Sequence, residues 1–402
     1  AAQVVQAISL VISFIIFGTN TFDPSSEPLW NLVILATWGL ATAFYGISNA
    51  LYPSFAFPWL AAATLVPMPL FIATAFDLES LGSSIVLFVW GSIFTVTSEV
   101  IRRIPRPQKY SLPVLLAALT SLVLAVNIGF VYEIWTGLLA ALGCAILLTV
   151  LHILHTRTWL WTLALLSAII AYFAFFQLDA VQRLDIFAGY QVLVIGILLL
   201  LPDLFLKKDW SATPAWRIPL RIFGALFIAY LSLALIIQGE SAQQAICYFI
   251  LTFFVAAYAL AYGNVYLAYL PAAYLPLAIV FILDALNLDL WLPALSILAV
   301  LYYLAGVALR NQKDWGNMLR ISALVLGTAI SIATLLLTKE NGGWYVLVMG
   351  MLFFAEMYLY KNGWLEVGAP TLFTLGLFLI LRDFNIVRAS YQLLAYSLIW
   401  IL

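Results

Sequence analysis

An all-α integral membrane fold of about sixteen transmembrane helices, arranged as tandem hairpins, is the fold class this sequence predicts. Three observations carry it. Of the 402 residues 65% are hydrophobic and only 9% charged, with a mean hydropathy of +1.08. The apolar residues fall into successive long runs, and the charges between the runs segregate by sign. Ordinary globular chains are roughly a quarter charged, because a charged side chain needs water or a partner. A chain so poor in charge has lipid as its solvent.

A hydrocarbon core about 30 Å thick takes roughly 20 apolar residues per helix. Cutting the chain at charges, prolines with glycines and polar clusters yields sixteen spans, starting with Val4 to Gly18, Leu29 to Ser48, Phe57 to Phe76, Ser83 to Ile101 and Leu112 to Val131. Ile134 to Leu154, Thr158 to Leu178, Phe187 to Leu206, Ile218 to Gln238, Ala242 to Tyr262 and Val265 to Leu283 follow. The last five are Leu290 to Leu309, Met318 to Thr338, Trp344 to Tyr360, Trp364 to Leu381 and Ala389 to Leu402. Barrel strands would be about ten residues long and would alternate polar with apolar; these runs do neither. In lipid each backbone amide must bond within its own segment, which leaves the helix. Val4 to Gly18 lacks the basic flank and small-residue cleavage pattern of a signal peptide, so it reads as a first span. The chain begins at Ala1 and stops inside an apolar run at Leu402, and both ends read as trimmed edges of a longer array.

Alternating the loops between two sides places 13 of the 17 Lys and Arg on one side, among them Arg102, Arg103, Arg157, Lys207, Lys208, Arg310, Lys313 and Arg320. Twelve of the 18 acidic residues, including Asp23, Asp77, Glu133, Asp179, Glu240 and Asp284, fall on the other. By the positive-inside rule the basic side is cytoplasmic, and an even number of spans puts both termini there. The net charge of −1 provides no basic field for counterion release from a nucleic-acid backbone, so nucleic acid is excluded as a partner. Cys144 and Cys247 lie in apolar runs and read as small hydrophobes.

The outward turns recur about every fifty residues, so a helical hairpin is the unit of a single membrane domain, 1–402. The strongly basic loops open at Arg102, Lys207 and Arg310, separated by 105 and 103 residues. Paired hairpins would then make units of approximately 1–101, 102–206, 207–309 and 310–402. Lys208-Asp209-Trp210 is echoed by Lys313-Asp314-Trp315, and Arg103-Ile104-Pro105 by Arg217-Ile218-Pro219. Consecutive hairpins in register run in the same direction, unlike the inverted repeats of many secondary transporters. Tandem hairpins with short loops and tyrosine-rich helix ends, Leu301-Tyr302-Tyr303-Leu304 and Tyr258-Ala259-Leu260-Ala261-Tyr262, resemble uncharacterised bacterial multi-spanning membrane families that have no established active site. The resemblance implies a bacterial inner membrane and carries over no catalytic residue.

Ionisable groups inside a membrane mark ion or substrate paths by default, and here the span centres hold almost none. Glu356 lies near the basic end of its span, close to Tyr360 and Lys361, where snorkelling or local pairing is expected. Glu99 is spaced to pair with Arg102 and Arg103 on the same helix surface. His152 and His155, three apart, are spaced for a metal or haem, but lacking a third ligand they read as an interfacial polar pair. Tyr258, Tyr262, Tyr266, Tyr269 and Tyr274 surround Gly263-Asn264, either as an aromatic belt or as a groove for a sugar or lipid headgroup. The loop from Lys207 to Arg217, with Lys208, Trp210 and Trp216, suits contact with anionic lipid. Pro53, Pro58, Pro67 and Pro69 in the third span, and Pro271 and Pro276 in the eleventh, predict kinked or broken helices.

Candidate lipid or substrate contacts are therefore Lys207, Lys208, Trp210, Arg217, Tyr258, Tyr262, Tyr266 and Glu356. No catalytic residue, metal ligand or cofactor is predicted, and the expected partners are the bilayer and further membrane subunits. A phosphate-cradling loop, a dinucleotide glycine motif, the His-Glu metalloprotease pattern and the nucleophile elbow are absent from the sequence. Three functions stand in order of expectation: a non-catalytic scaffold, sensor or membrane subunit of a larger assembly; a transporter or flippase for a neutral or lipidic substrate; and a membrane-embedded transferase, which needs carboxylates converging at the outer face.

Overall fold

The computed structural model describes residues 10–12, 15, 28–104, 110–155, 157–205, 214–337, 342–363 and 365–384. Sixteen helices cover them: α1 (Pro28–Leu51), α2 (Ala56–Leu65), α3 (Met68–Ala75), α4 (Ser80–Arg103), α5 (Ser111–Tyr132), α6 (Ile134–His155), α7 (Thr158–Phe176) and the single turn α8 (Asp179–Gln182). Then follow α9 (Ala188–Phe205), α10 (Pro214–Ile237), α11 (Ser241–Tyr262), α12 (Val265–Ala285), α13 (Trp291–Ala308), α14 (Lys313–Leu337), α15 (Gly342–Tyr360) and α16 (Leu365–Asp383). No strand occurs among the described residues. Counting α2 and α3 as one run, thirteen of these segments are long and apolar enough to cross a membrane, and α9 is a shorter apolar helix. The expected last span, Ala389 to Leu402, lies outside the described residues, as does most of the first.

The chain forms two compact units, residues 1–186 with 208–222, and residues 187–207 with 223–402. In the first, α4 packs along α5 and α6 along α7; in the second, α11 packs along α12, α13 along α14 and α15 along α16. Sequential pairing follows from short links, since a few residues between consecutive helices hold them side by side. The turn between α11 and α12 shows the chemistry. Gly263 takes a left-handed φ of 61° and its N–H bonds the Ala259 and Leu260 carbonyls, while the Asn264 side chain accepts from the Tyr266 amide. At the opposite end of α11, Glu240 and Gln243 form a capping box. The Gln244 amide donates to the Leu235 and Gln238 carbonyls at the end of α10, at 2.6 and 3.3 Å.

Small interior clusters hold each unit together. Leu148, Leu151, Leu160 and Ala164 join α6 to α7 in the first unit. In the second, Leu231, Leu235, Cys247, Tyr248, Leu251 and Ala278 join α10, α11 and α12. Both cysteines are buried. Large apolar side chains elsewhere point outward, with Leu40, Leu233, Phe253 and Leu336 each about two-thirds exposed or more. Such surfaces need a lipid solvent, not water.

The prolines behave differently in the two expected places. The third span is interrupted at Val66 and Pro67, which separates α2 from α3, whereas α12 runs unbroken through Pro271 and Pro276. Proline removes the donor for the carbonyl four residues earlier, and in lipid that carbonyl must find another. Pro69 deprives the Leu65 carbonyl, and the Trp90 indole N–H of α4 donates to it at 3.1 Å. Pro276 deprives the Ala272 carbonyl, and the Tyr302 hydroxyl of α13 donates to it at 3.2 Å. Neighbouring helices thus repair the backbone.

Candidate functional site

Three clusters of buried polar side chains lie near helix ends that the sequence assigns to the basic side. The deepest is built on α13, α14 and α15. Arg320 sits two turns into α14 and is buried, as is Glu356 one turn before the end of α15. Arg320 Nη1 donates to both Glu356 carboxylate oxygens at 3.1 Å, and Nη2 donates to Asn317. The guanidinium carbon stands 3.2 Å from the centroid of the Tyr360 ring, close enough for cation–π attraction. Tyr303 of α13 is buried beside the pair. Glycine makes the room: a Cβ on Gly306 would meet Arg320 Cγ at 2.6 Å and the Gly316 carbonyl at 2.8 Å. Local pairing or snorkelling was expected of Glu356; instead its partner lies 36 residues away on another helix. Periodicity within one span cannot reveal that.

The second cluster gathers on Asp203, near the end of α9, which is buried. The Tyr258 hydroxyl of α11 donates to its carboxylate at 2.6 Å, and the Tyr262 hydroxyl to its backbone carbonyl at 2.8 Å. That carbonyl belongs to the last turn of α9, where intrahelical donors run out. Two of the tyrosines expected in a belt or groove are therefore engaged in helix packing, while Tyr266 is 85% exposed. Sequence reasoning missed Asp203 and Arg320. Their signal was the position of a lone charge inside an apolar run, masked by nearby charges of the basic loops.

The third cluster is in the first unit. Glu99 accepts from Arg102 Nε at 3.2 Å and Arg103 Nε at 3.0 Å, as the helical spacing predicts. It is joined by His155 Nε2 at 2.8 Å, from the end of α6. Glu99, Arg102 and His155 border a cavity of about 190 Å³ that is also lined by Ser98, Ser111 and Arg157. The two histidines part company. His155 turns to Glu99, whereas His152 is fully buried, stacked on Trp161 and edge-on to Trp216, with Nδ1 2.9 Å from the Arg157 carbonyl. A carbonyl only accepts, so Nδ1 carries the proton. The Trp161 indole donates to the Trp216 carbonyl at 2.9 Å, and Arg217, the next residue, is half-buried. Lys207, Lys208 and Trp210 lie outside the described residues.

At the opposite, acidic ends a cavity of about 560 Å³ is lined by Asp284, Asp289, Asn287 and Trp291. Ser241 hydrogen-bonds the Asp284 carboxylate. Among the described residues no group of three or more His, Cys, Asp or Glu is placed to hold a metal ion. No family model, no curated protein and no solved structure matches this chain.

Proposed function

We propose that the chain is a non-catalytic multi-pass membrane repeat protein, acting as a scaffold or sensor or as the membrane subunit of a larger assembly. The carrying observation is how its buried and partly buried charges are used. Arg320 is engaged by Glu356, Asp203 by Tyr258, and Glu99 by His155, each from a neighbouring helix. A carrier needs intramembrane charges that can release their partners to a substrate or ion, whereas these join helices to one another.

Their spacing supports the repeat. Each cluster links a helix to the next but one, α4 to α6, α9 to α11 and α13 to α15. Glu99, Asp203 and Tyr303 succeed one another at about one hundred residues, as do His155, Tyr258 and Glu356. That interval matches the basic-loop period and favours units of four spans contacting mainly their neighbours. In this reading both termini face the cytoplasm of a bacterial inner membrane.

One observation favours a second reading, a transporter or flippase for a neutral or lipidic substrate. The break between α2 and α3 at Val66 and Pro67 is the kind of helix discontinuity that frames a midplane site in transporters.

The test separates the two. Protein reconstituted in vesicles with a fluorescent short-chain lipid analogue is assayed for chemical quenching of the inner leaflet, and native membranes are cross-linked and sized in parallel. A scaffold leaves quenching at the protein-free level and migrates as a stoichiometric complex. Protein-dependent lipid movement, lost on Pro67→Ala with Pro69→Ala, would overturn the scaffold reading.

A further inference from the structure

We infer that the cavity among α4, α5, α6 and α7 is a binding site for a phosphate group, carried by an anionic phospholipid or free in solution. The site is independent of the scaffold reading. Three features converge on it.

The first is charge. Arg102 and Arg157 set two guanidinium cations in the cavity lining against the single Glu99 carboxylate, which Arg103 binds from outside the lining. Glu99 is saturated by Arg102, Arg103 and His155, so its repulsion of an anion is offset at short range. Arg102 binds Glu99 through Nε and Nη2, which leaves Nη1 to donate outward. Arg157 lines the cavity without a carboxylate partner among the described residues. Two guanidinium groups at one opening match the oxygens of a phosphate, the pairing for which arginine is best suited.

The second is shape. The inner wall is formed by Leu115, Leu151 and Leu160, while charged and hydroxyl groups come from the helix ends. At about 190 Å³ the space holds roughly six waters. A polar mouth over an apolar wall fits the junction between a headgroup and its first methylenes. The third is depth. Glu99, Arg102, His155 and Arg157 all belong to helix ends on the predicted basic side, and phosphate is the dominant anion at the level where such ends leave the bilayer. The site is held in shape without a ligand: Ser98 Oγ donates to the Ser111 carbonyl at 2.7 Å, and His152 fixes the Arg157 carbonyl.

The experiment uses the purified full chain in a zwitterionic detergent free of phosphate. Binding of dihexanoyl phosphatidylglycerol, dihexanoylglycerol and inorganic phosphate is followed by calorimetry and by tryptophan fluorescence, since Trp159 lines the cavity. The phosphate-bearing lipid should bind saturably and the diacylglycerol should not. Arg157→Gln and Arg102→Gln should each weaken binding about tenfold, with Arg310→Gln, outside the cavity lining, as the unchanged control. Arg157 is exposed, so its variant keeps the fold and carries the test if Arg102→Gln does not. Inorganic phosphate binding as tightly as the lipid would support the site with a free anion as its occupant; weaker binding would support it with a lipid. If neither phosphate probe binds, or if Arg157→Gln binds as the parent does, the inference is overturned.

Discussion

Breaking the Arg320–Glu356 pair tests most directly whether buried charges hold these helices together. The side chains are 9% and 8% exposed and 3.1 Å apart. At an effective dielectric constant of about 20, unit charges at that separation attract by about 5 kcal/mol, against a desolvation cost of several kcal/mol per ion. The pair therefore contributes little net stability, but each member depends on the other. Glu356→Met strands a guanidinium that cannot shed its charge and retains only Asn317 and the Tyr360 face; a loss of about 3–5 kcal/mol is expected. Arg320→Met should also destabilise, because it strands the buried Glu356 carboxyl without its partner. The double variant, with methionine at both positions, should return to within about 1 kcal/mol of the parent. Equilibrium unfolding in mixed micelles, followed by circular dichroism, would register the single variants as a rise of about two to three and a half orders of magnitude in the unfolding constant. A double variant that loses the sum of the two singles would refute the reasoning, since the side chains would then act independently.

The proline repairs give a second cycle: Trp90→Phe should cost about 1–2 kcal/mol by stranding the Leu65 carbonyl, and adding Pro69→Ala, which restores a backbone donor, should recover most of that loss in the same unfolding assay. Gly343→Ala should destabilise by about 1–3 kcal/mol in the same unfolding assay, because its Cβ, on α15, would lie 2.7 Å from the Ile380 amide nitrogen and 2.8 Å from the Gly376 carbonyl of α16. With Cys144 and Cys247 replaced by alanine, single cysteines at Arg103 and Lys313 should react with an impermeant maleimide from one side of sealed vesicles and a cysteine at Asp289 from the other. Labelling of Arg103 and Lys313 positions from opposite sides would show that the span count between them is wrong.

Composition made the helical membrane class legible, because almost every run between charges is too long for a barrel strand and too apolar for water. The spacing of Glu99 to Arg102 and Arg103 was also legible, since both partners lie within one helical turn. Prolines announced disturbed helices, but not which would break: the freed Leu65 and Ala272 carbonyls both find a donor on a neighbouring helix, yet only the span around Pro67 and Pro69 is interrupted. Glu356 was visible as an intramembrane acid, yet its meaning depended on Arg320, which in sequence is one more cation of a basic loop. The cavity beside Glu99 was invisible, since its walls come from four helices and its histidine lies 56 residues from its carboxylate.

What the sequence determined alone is what a one-dimensional pattern can encode: helices, and runs long and apolar enough to cross a membrane. Tertiary structure decided which buried charges face one another. A lone carboxylate or guanidinium in an apolar run states only that it needs a partner, and the choice among distant helices is made when their surfaces pack.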